Sequence, residues 1–269
     1  MNFRSLFGEK AEIRNRLAFA CGSHQGLRRG NNEDNFYFDG EYMSGDDHGV
    51  SDIIVKEISI EDTGFFAIFD GMGGMDFGEL ASYTAAEKTK EFLAEESNMN
   101  PYDITPSLNN LCQFINEKVF QTGLSHGSEK VGTTLAGLYF YAGQVWVCNI
   151  GDSPVYLLRD EKMIQLSQEH TDAELVQAQG LNRKPWLTQY LGVDPETLQI
   201  RPYIKSGALK YGDCFLICSD GLTDMVSEQR ICNILAEERN PEIIVKTLIR
   251  KALQAGGNDN VTAIVCHVR

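Results

Sequence analysis

The chain has 269 residues, 42% of them hydrophobic, which suits one large domain with a substantial core, and no Pro/Gly/Ser-rich linker divides it. Its 24 Lys and Arg stand against 38 Asp and Glu, a formal charge of -14 that argues against nucleic acid and anionic membranes as partners, since no basic patch interrupts it. The seven cysteines are an odd number in a chain too long to need staples, and most lie in apolar runs, so they read as buried thiols of a reducing compartment.

The opening MNFRSLFGEKAEIRN lacks the apolar core and cleavage site of a signal peptide, and Arg4, Lys10, Arg14 and Arg16 alternate with Glu9 and Glu12 as on a solvated surface. No run approaches the roughly 18 apolar residues of a membrane span, so a soluble cytoplasmic protein is expected. Strand-like runs follow in LAFACGS, NFYF, DIIVKEISI and GFFAIF. Among them the acidic DGEYMSGDDHGVSD, residues 39–52, reads as a solvent loop. Two helices are expected next, from about Phe77 to Glu95 and from about Leu108 to Phe120, where Leu108, Leu111, Cys112, Ile115 and Val119 recur at helical spacing. A second strand group, TTLAGLYF, QVWVCNI, PVYLL and KMIQL, precedes a polar stretch and then the strand CFLICS. Cys214 and Cys218 share one side of that strand and have no C-x-x-C partner, so they read as packing rather than zinc ligands. Helices from about Glu228 to Ala236 and Pro241 to Leu253 lead to a final strand, NVTAIVCHV. This order lacks regular strand-helix alternation and points to an α+β layered fold with mostly antiparallel sheets.

Five acidic motifs fall where an apolar run meets a Gly or Asn turn: RRGNNEDNFYF with Glu33 and Asp34, FAIFDGMGG with Asp70, NIGDSPVYLL with Asp152, FLICSDGLTD with Asp220 and Asp224, and GGNDNVTAIV with Asp259 and Asn260. Singly, each is explained by a turn or a helix cap. Together they imply a convergence of carboxylates with no comparable set of Lys or Arg beside them in the sequence, and metal ions resolve such a concentration of charge. An all-oxygen donor set suits Mg or Mn, and the helix-loop-helix calcium series is absent. Asp70, at the end of its strand, is placed to bridge two ions, with the neighbouring glycines letting the Gly71 carbonyl approach one of them. Neither nucleotide-binding glycine pattern is matched.

The ordered set RRGNNED, FDGMGG, EKVGTTLAGL, NIGDSPVYLL, QEHT, TQYLG, CSDGLTD and GGNDNVT, spread from about Leu17 to Val268, resembles the metal-dependent serine/threonine phosphatases of the PPM/PP2C family, in particular its bacterial branch. The resemblance implies a single domain over 1–269 and a four-layer αββα sandwich, two central antiparallel sheets flanked by helices. It implies two Mn2+ or Mg2+ ions and a weaker third. Asp70 would bridge the ions beside the Gly71 carbonyl, Asp220 and Asp259 would hold one of them, and Glu33 and Asp34 the other, directly or through water. Asp152, with help from Asp220, corresponds to the third site, Asn260 to a group supporting the ligands, and Arg29 rather than Arg28 to the phosphate clamp. Three departures stand out. Met72 replaces a His proposed as general acid in many eukaryotic members, which leaves the leaving oxygen to a metal-bound water or another donor. Pro154 follows GDS where Arg is usual, and the flap, from His170 to Thr188, is short.

The function so implied is hydrolysis of phosphoserine and phosphothreonine on proteins by a water or hydroxide activated at the two metals. Phosphorylated targets of a Ser/Thr kinase encoded elsewhere would be its partners, and a monomer is expected. A noncatalytic signalling domain of the same fold is the alternative from another class. Its mark would be a lost ligand, and Asp34, Asp70, Asp220 and Asp259 are all present. The short flap motivates a third reading, a phosphatase of small phosphorylated metabolites.

Overall fold

The computed structural model describes residues 16–44, 49–50, 52–72, 77–95, 98–128 and 130–269. The basic and acidic residues of the first fifteen positions, the tip of the 39–52 segment and Gly73 and Gly74 lie outside them.

Two antiparallel sheets form the centre. One has the order β3 (Ile54–Ser59), β1 (Arg16–His24), β12 (Val261–Val268), β11 (Cys214–Cys218), β8 (Val155–Arg159), β9 (Lys162–Gln165). The other runs β10 (Tyr203–Ala208), β7 (Gln144–Ile150), β6 (Leu135–Tyr141), β4 (Gly64–Met72), β2 (Asp34–Phe38), with β5 (Gly132–Thr133) paired to the end of β4. Helices α1 (Gly78–Ala94) and α2 (Ile104–Ser125) cover the outer face of the second sheet, and α5 (Glu228–Glu237) and α6 (Pro241–Gln254) that of the first. The four-layer α+β sandwich is therefore as expected.

The layering explains why so many strands are apolar throughout. In β12, Val261, Ala263 and Val265 meet the helices while Ile264, Cys266 and Val268 meet the opposite sheet. In β4, Phe65, Ala67 and Phe69 point outward to α1 and α2, and Phe66 and Ile68 inward. Side chains alternate along a strand, so a strand sandwiched between layers needs apolar residues at both parities. Aromatics fill the inter-sheet core: Phe19 stacks on Phe66 at 3.8 Å between ring centroids, and Phe140 meets Phe215 edge-on at 6.0 Å.

All seven cysteines are free and six are buried, with Cys214 and Cys218 both in the core under α5 and α6. Helix α6 starts as its sequence dictates: Asn240 accepts a hydrogen bond from the Glu242 amide at 3.0 Å, with Pro241 at the first helical position. Among the described residues no helix is long and apolar enough to cross a membrane.

Two expectations need correction. The start of the 39–52 segment folds back instead of projecting: Met43 is buried in the inter-sheet core, and the Asn35 side chain bonds both its amide and its carbonyl. The polar stretch after β9 is followed by strand β10, which the sequence does not announce; YIKSGA is an edge strand whose last four residues are exposed, so no apolar alternation marks it.

A buried amide joins α2 to the loop after the flap. Asn116 accepts from the amides of Gly192 (2.8 Å) and Val193 (3.0 Å) and donates to the Val193 carbonyl (3.0 Å). Gly192, at φ 106°, turns there with no room for a side chain beside the Val131 carbonyl. Asn116→Ala strands these backbone groups and is expected to cost about 2 kcal/mol. A lower urea midpoint at unchanged slope is the predicted readout, and an unmoved midpoint contradicts it.

Candidate active site

Antiparallel connection places the acidic turns at one end of both sheets. Asp34 opens β2 and lies opposite Asp70 on β4. The turn from β7 to β8 carries Asp152, Asp220 begins the short helix α4 (Asp220–Thr223) directly after β11, and Asp259 and Asn260 lead into β12. Strand direction alone thus gathers residues from five distant parts of the chain.

Asp34 is buried and spans the two sheets. One carboxylate oxygen accepts from Ser219 Oγ and Thr262 Oγ1, each at 2.7 Å, and Ser23 and Asn32 extend the chain of donors behind Thr262. Burial pushes its pKa up to about 7 against the pull of those hydroxyls, with Asp220 and Asp259 adding repulsion. Asp70 is held well above the usual carboxylate range by burial and then by Asp34, Asp220, Asp152 and Asp259. Burial and Asp220 raise Asp152 to about 6. Asp220 is raised mainly by burial, with Lys184 opposing.

The Asp70 backbone is fixed independently of its side chain. Its amide bonds Thr134 Oγ1, and its carbonyl accepts from the Thr134 amide and Thr133 Oγ1. Beside it, the Gly71 amide donates to the Glu33 carbonyl at 3.0 Å, and an added Cβ would stand 2.1 Å from the Gly78 carbonyl oxygen. The glycine is thus required by the close approach of β4 to the first turn of α1, a reason the sequence alone does not supply. The Glu33 carboxylate lies against Gly78 and 3.6 Å from Arg29.

Asn260 braces the loop before β2. Its side chain donates to the carbonyls of Gln25 and Asn31 and accepts from the Glu33 amide, so the segment carrying Arg29 and Glu33 is tied to the start of β12. Arg29 reaches Asp259 at 2.8 Å, a bond that raises its already high basicity, and its neighbour Arg28 is exposed. Met72 ends β4 opposite Gly132, and the buried Pro154 accepts from the Cys218 amide.

The family profile for protein phosphatase 2C matches residues 55–250. The chain belongs to the protein phosphatase 2C family. The serine/threonine protein phosphatase PstP of Mycobacterium tuberculosis is 28% identical over 265 residues, covering 94% of this chain and 45% of PstP, so the chain spans less than half of that relative's length. Serine/threonine phosphatase stp of Listeria innocua is 30% identical over 209 residues, covering 74% of this chain and 82% of the relative. The crystal structure of the PstP catalytic domain in complex with two manganese ions superposes with a TM-score of 0.73 at 27% identity, covering 94% of this chain and 99% of that one.

In this phosphatase 2C chain the acidic turns meet at one end of the sheets. Among the described residues no three His, Cys, Asp or Glu side chains form a ready metal-ligand group. Two cations share the site with the carboxylates. Arg29 takes Asp259, and Lys184 takes Asp220 at 2.6 Å and Asp224 at 2.9 Å. Besides Arg29, already expected at the site, Lys184 is thus a cation beside the acidic set that the sequence does not announce. Lys184 lies in the polar NRKPW, where nothing local marks it. The sequence does not single out Ser219, Thr262 or Thr134 either; Thr262 sits at a parity facing the opposite sheet in a mostly apolar strand, a faint signal of a polar task. The donor set, all oxygen, partly buried and over-charged, fits divalent cations of the Mg and Mn type.

Proposed function

We propose that the chain hydrolyses phosphoserine and phosphothreonine on proteins as a phosphatase dependent on two Mn2+ or Mg2+ ions. The observation that carries the reading is the cross-strand pair of buried Asp34 and half-buried Asp70, each repelled by Asp220 and Asp259. Such a grouping is costly for a fold unless cations fill it. Asp70 would bridge the ions with the Gly71 carbonyl beside it, Asp220 and Asp259 would hold one, and Glu33 and Asp34 the other, directly or through water. When bound, the ions supply an activated attacking oxygen and neutralise charge on the phosphoryl group.

The chain's own residues do the rest. Arg29, on a loop braced by Asn260, offers a planar fork of donors to two phosphoryl oxygens. The hydroxyls of Ser219 and Thr262 keep Asp34 oriented. Met72 has no proton to give, so the leaving oxygen takes its proton from elsewhere. The protein substrate class is supported by relatives named as serine/threonine protein phosphatases. Targets of a Ser/Thr kinase encoded elsewhere, a single domain and a monomeric state complete the reading.

Activity on a phosphothreonine peptide and on p-nitrophenyl phosphate is expected with Mn2+ or Mg2+ and is expected to vanish in EDTA. Turnover that survives chelation sinks the metal-dependent reading, and turnover of phosphorylated metabolites with a kcat/KM above that of phosphopeptides sinks the protein-directed one.

A further inference from the structure

The flap is stapled to itself. Asp172 accepts from Arg183 at 3.2 and 2.5 Å and from the Trp186 amide at 2.7 Å, while its own amide donates to the Trp186 carbonyl. The Arg183 guanidinium stacks 3.8 Å above the Trp186 ring, and the Thr188 amide closes on the His170 carbonyl at 2.8 Å. One residue past Arg183, Lys184 leaves this closed turn and delivers its ammonium to Asp220 Oδ2 and Asp224 Oδ2. The turn carrying Asp152 is tied to the start of the same flap, since the Gly151 amide donates to His170 Nδ1 at 3.2 Å and the Gly151 carbonyl accepts from the His170 amide at 2.9 Å.

We propose that Lys184 is a built-in cation of the centre, occupying the corner formed by Asp152, Asp220 and Asp224 and keeping a further divalent ion out of it. This corner is where the resemblance to the family leads one to expect a weak third ion. An ammonium with three donors satisfies two of the carboxylates directly, and a divalent ion placed among the same oxygens would meet it as a like charge. An exposed lysine ordinarily gains little from an ion pair because ordering its long side chain offsets the attraction. Here the stapled turn positions the chain beforehand, so less freedom is lost on pairing.

The inference rests on the two-ion reading, and one experiment separates them. Native mass spectrometry with added Mn2+ counts the ions bound to the 269-residue wild-type chain, to Lys184→Met and to Lys184→Arg. Lys184 is a flap residue with an exposed side chain, so its replacement leaves the core intact. The wild-type chain is expected to hold two ions, Lys184→Met one more, and Lys184→Arg, which keeps the charge, the wild-type number. Equal counts in the wild-type chain and Lys184→Met overturn the role of Lys184, as does a third ion in the wild-type chain. The two-ion reading is judged on the wild-type count alone: a chain that takes up no ion removes that reading, whatever the difference between variants.

Discussion

Asp70→Asn is expected to leave a folded chain that has lost turnover by at least about a thousandfold, and whose metal-free form melts at a higher temperature than the wild type. Asparagine keeps the shape of the side chain but carries no charge, so it neither neutralises two cations nor fixes their separation. The backbone of residue 70 is held by Thr133 and Thr134, which do not depend on the carboxylate, and so the fold survives. The stability gain follows from the direction of the acidity shift. Burial and four neighbouring carboxylates raise Asp70 in the native state. A group so raised contributes its stability below the unfolded value and loses it as pH rises through the folded one. At pH 8 the metal-free wild type therefore carries a penalty that the amide lacks. Toward pH 4 the gap narrows, because the native aspartate is then protonated too. Excess Mn2+ reverses the order, since a ligand that binds only the native wild type stabilises it. Melting temperatures in EDTA at both pH values, and again in Mn2+, test the whole argument. A wild-type chain as stable as the variant in EDTA at pH 8 refutes it.

Elements that bury side chains were legible because burial writes a pattern. GFFAIF and NVTAIVCHV read as strands since both of their faces are packed, and α2 shows in the spacing of Leu108, Leu111, Ile115 and Val119, all fully buried. Two elements that bury little and show no alternation left no trace. Helix α3 (Ala173–Ala178) has no buried residue, and β10 pairs with β7 at an edge while exposing Lys205, Ser206 and Gly207. The acidic half of the site was equally legible, because Asp at the end of an apolar run is a local signal. Of the site's basic groups Arg29 was expected but its partner was not, for the pairing of Arg29 with Asp259 spans 230 residues and that of Lys184 with Asp220 crosses from the flap to α4. Only the fold creates those neighbours. The glycine after Asp70 was read for its openness to a ligand; its space is taken by the carbonyls of Glu33 and Gly78, a constraint set by how β4 meets α1.

Arg29→Ala is expected to raise KM and lower kcat while leaving metal binding and the fold in place. Its guanidinium sits at the mouth of the centre, 45% exposed, with one arm on Asp259 and the other toward Glu33. Such a partly exposed pair contributes at most about 1 kcal/mol to stability, so the variant melts close to the wild type. Its kinetic weight is expected to be larger, because as the proposed phosphate clamp the fork would meet a phosphoryl group that gains charge in the transition state. Loss of a charge-assisted contact of this kind costs about 2 to 4 kcal/mol, or roughly 30- to 1000-fold in kcat/KM. Lysine at 29 restores only part of that, since it keeps the charge without the two parallel donors. Releasing Asp259 from the guanidinium leaves one more carboxylate for a metal ion, so Mn2+ affinity holds or tightens. Arg28 is the internal control: it is exposed and its alanine variant is expected to behave as wild type. Phosphopeptide kinetics and calorimetric Mn2+ titration on both alanine variants decide the assignment. Unchanged kinetics at 29, or a greater loss at 28, shows that the clamp is another residue, whereas a loss of Mn2+ binding at 29 shows that the arginine supports the metal site instead of the phosphate.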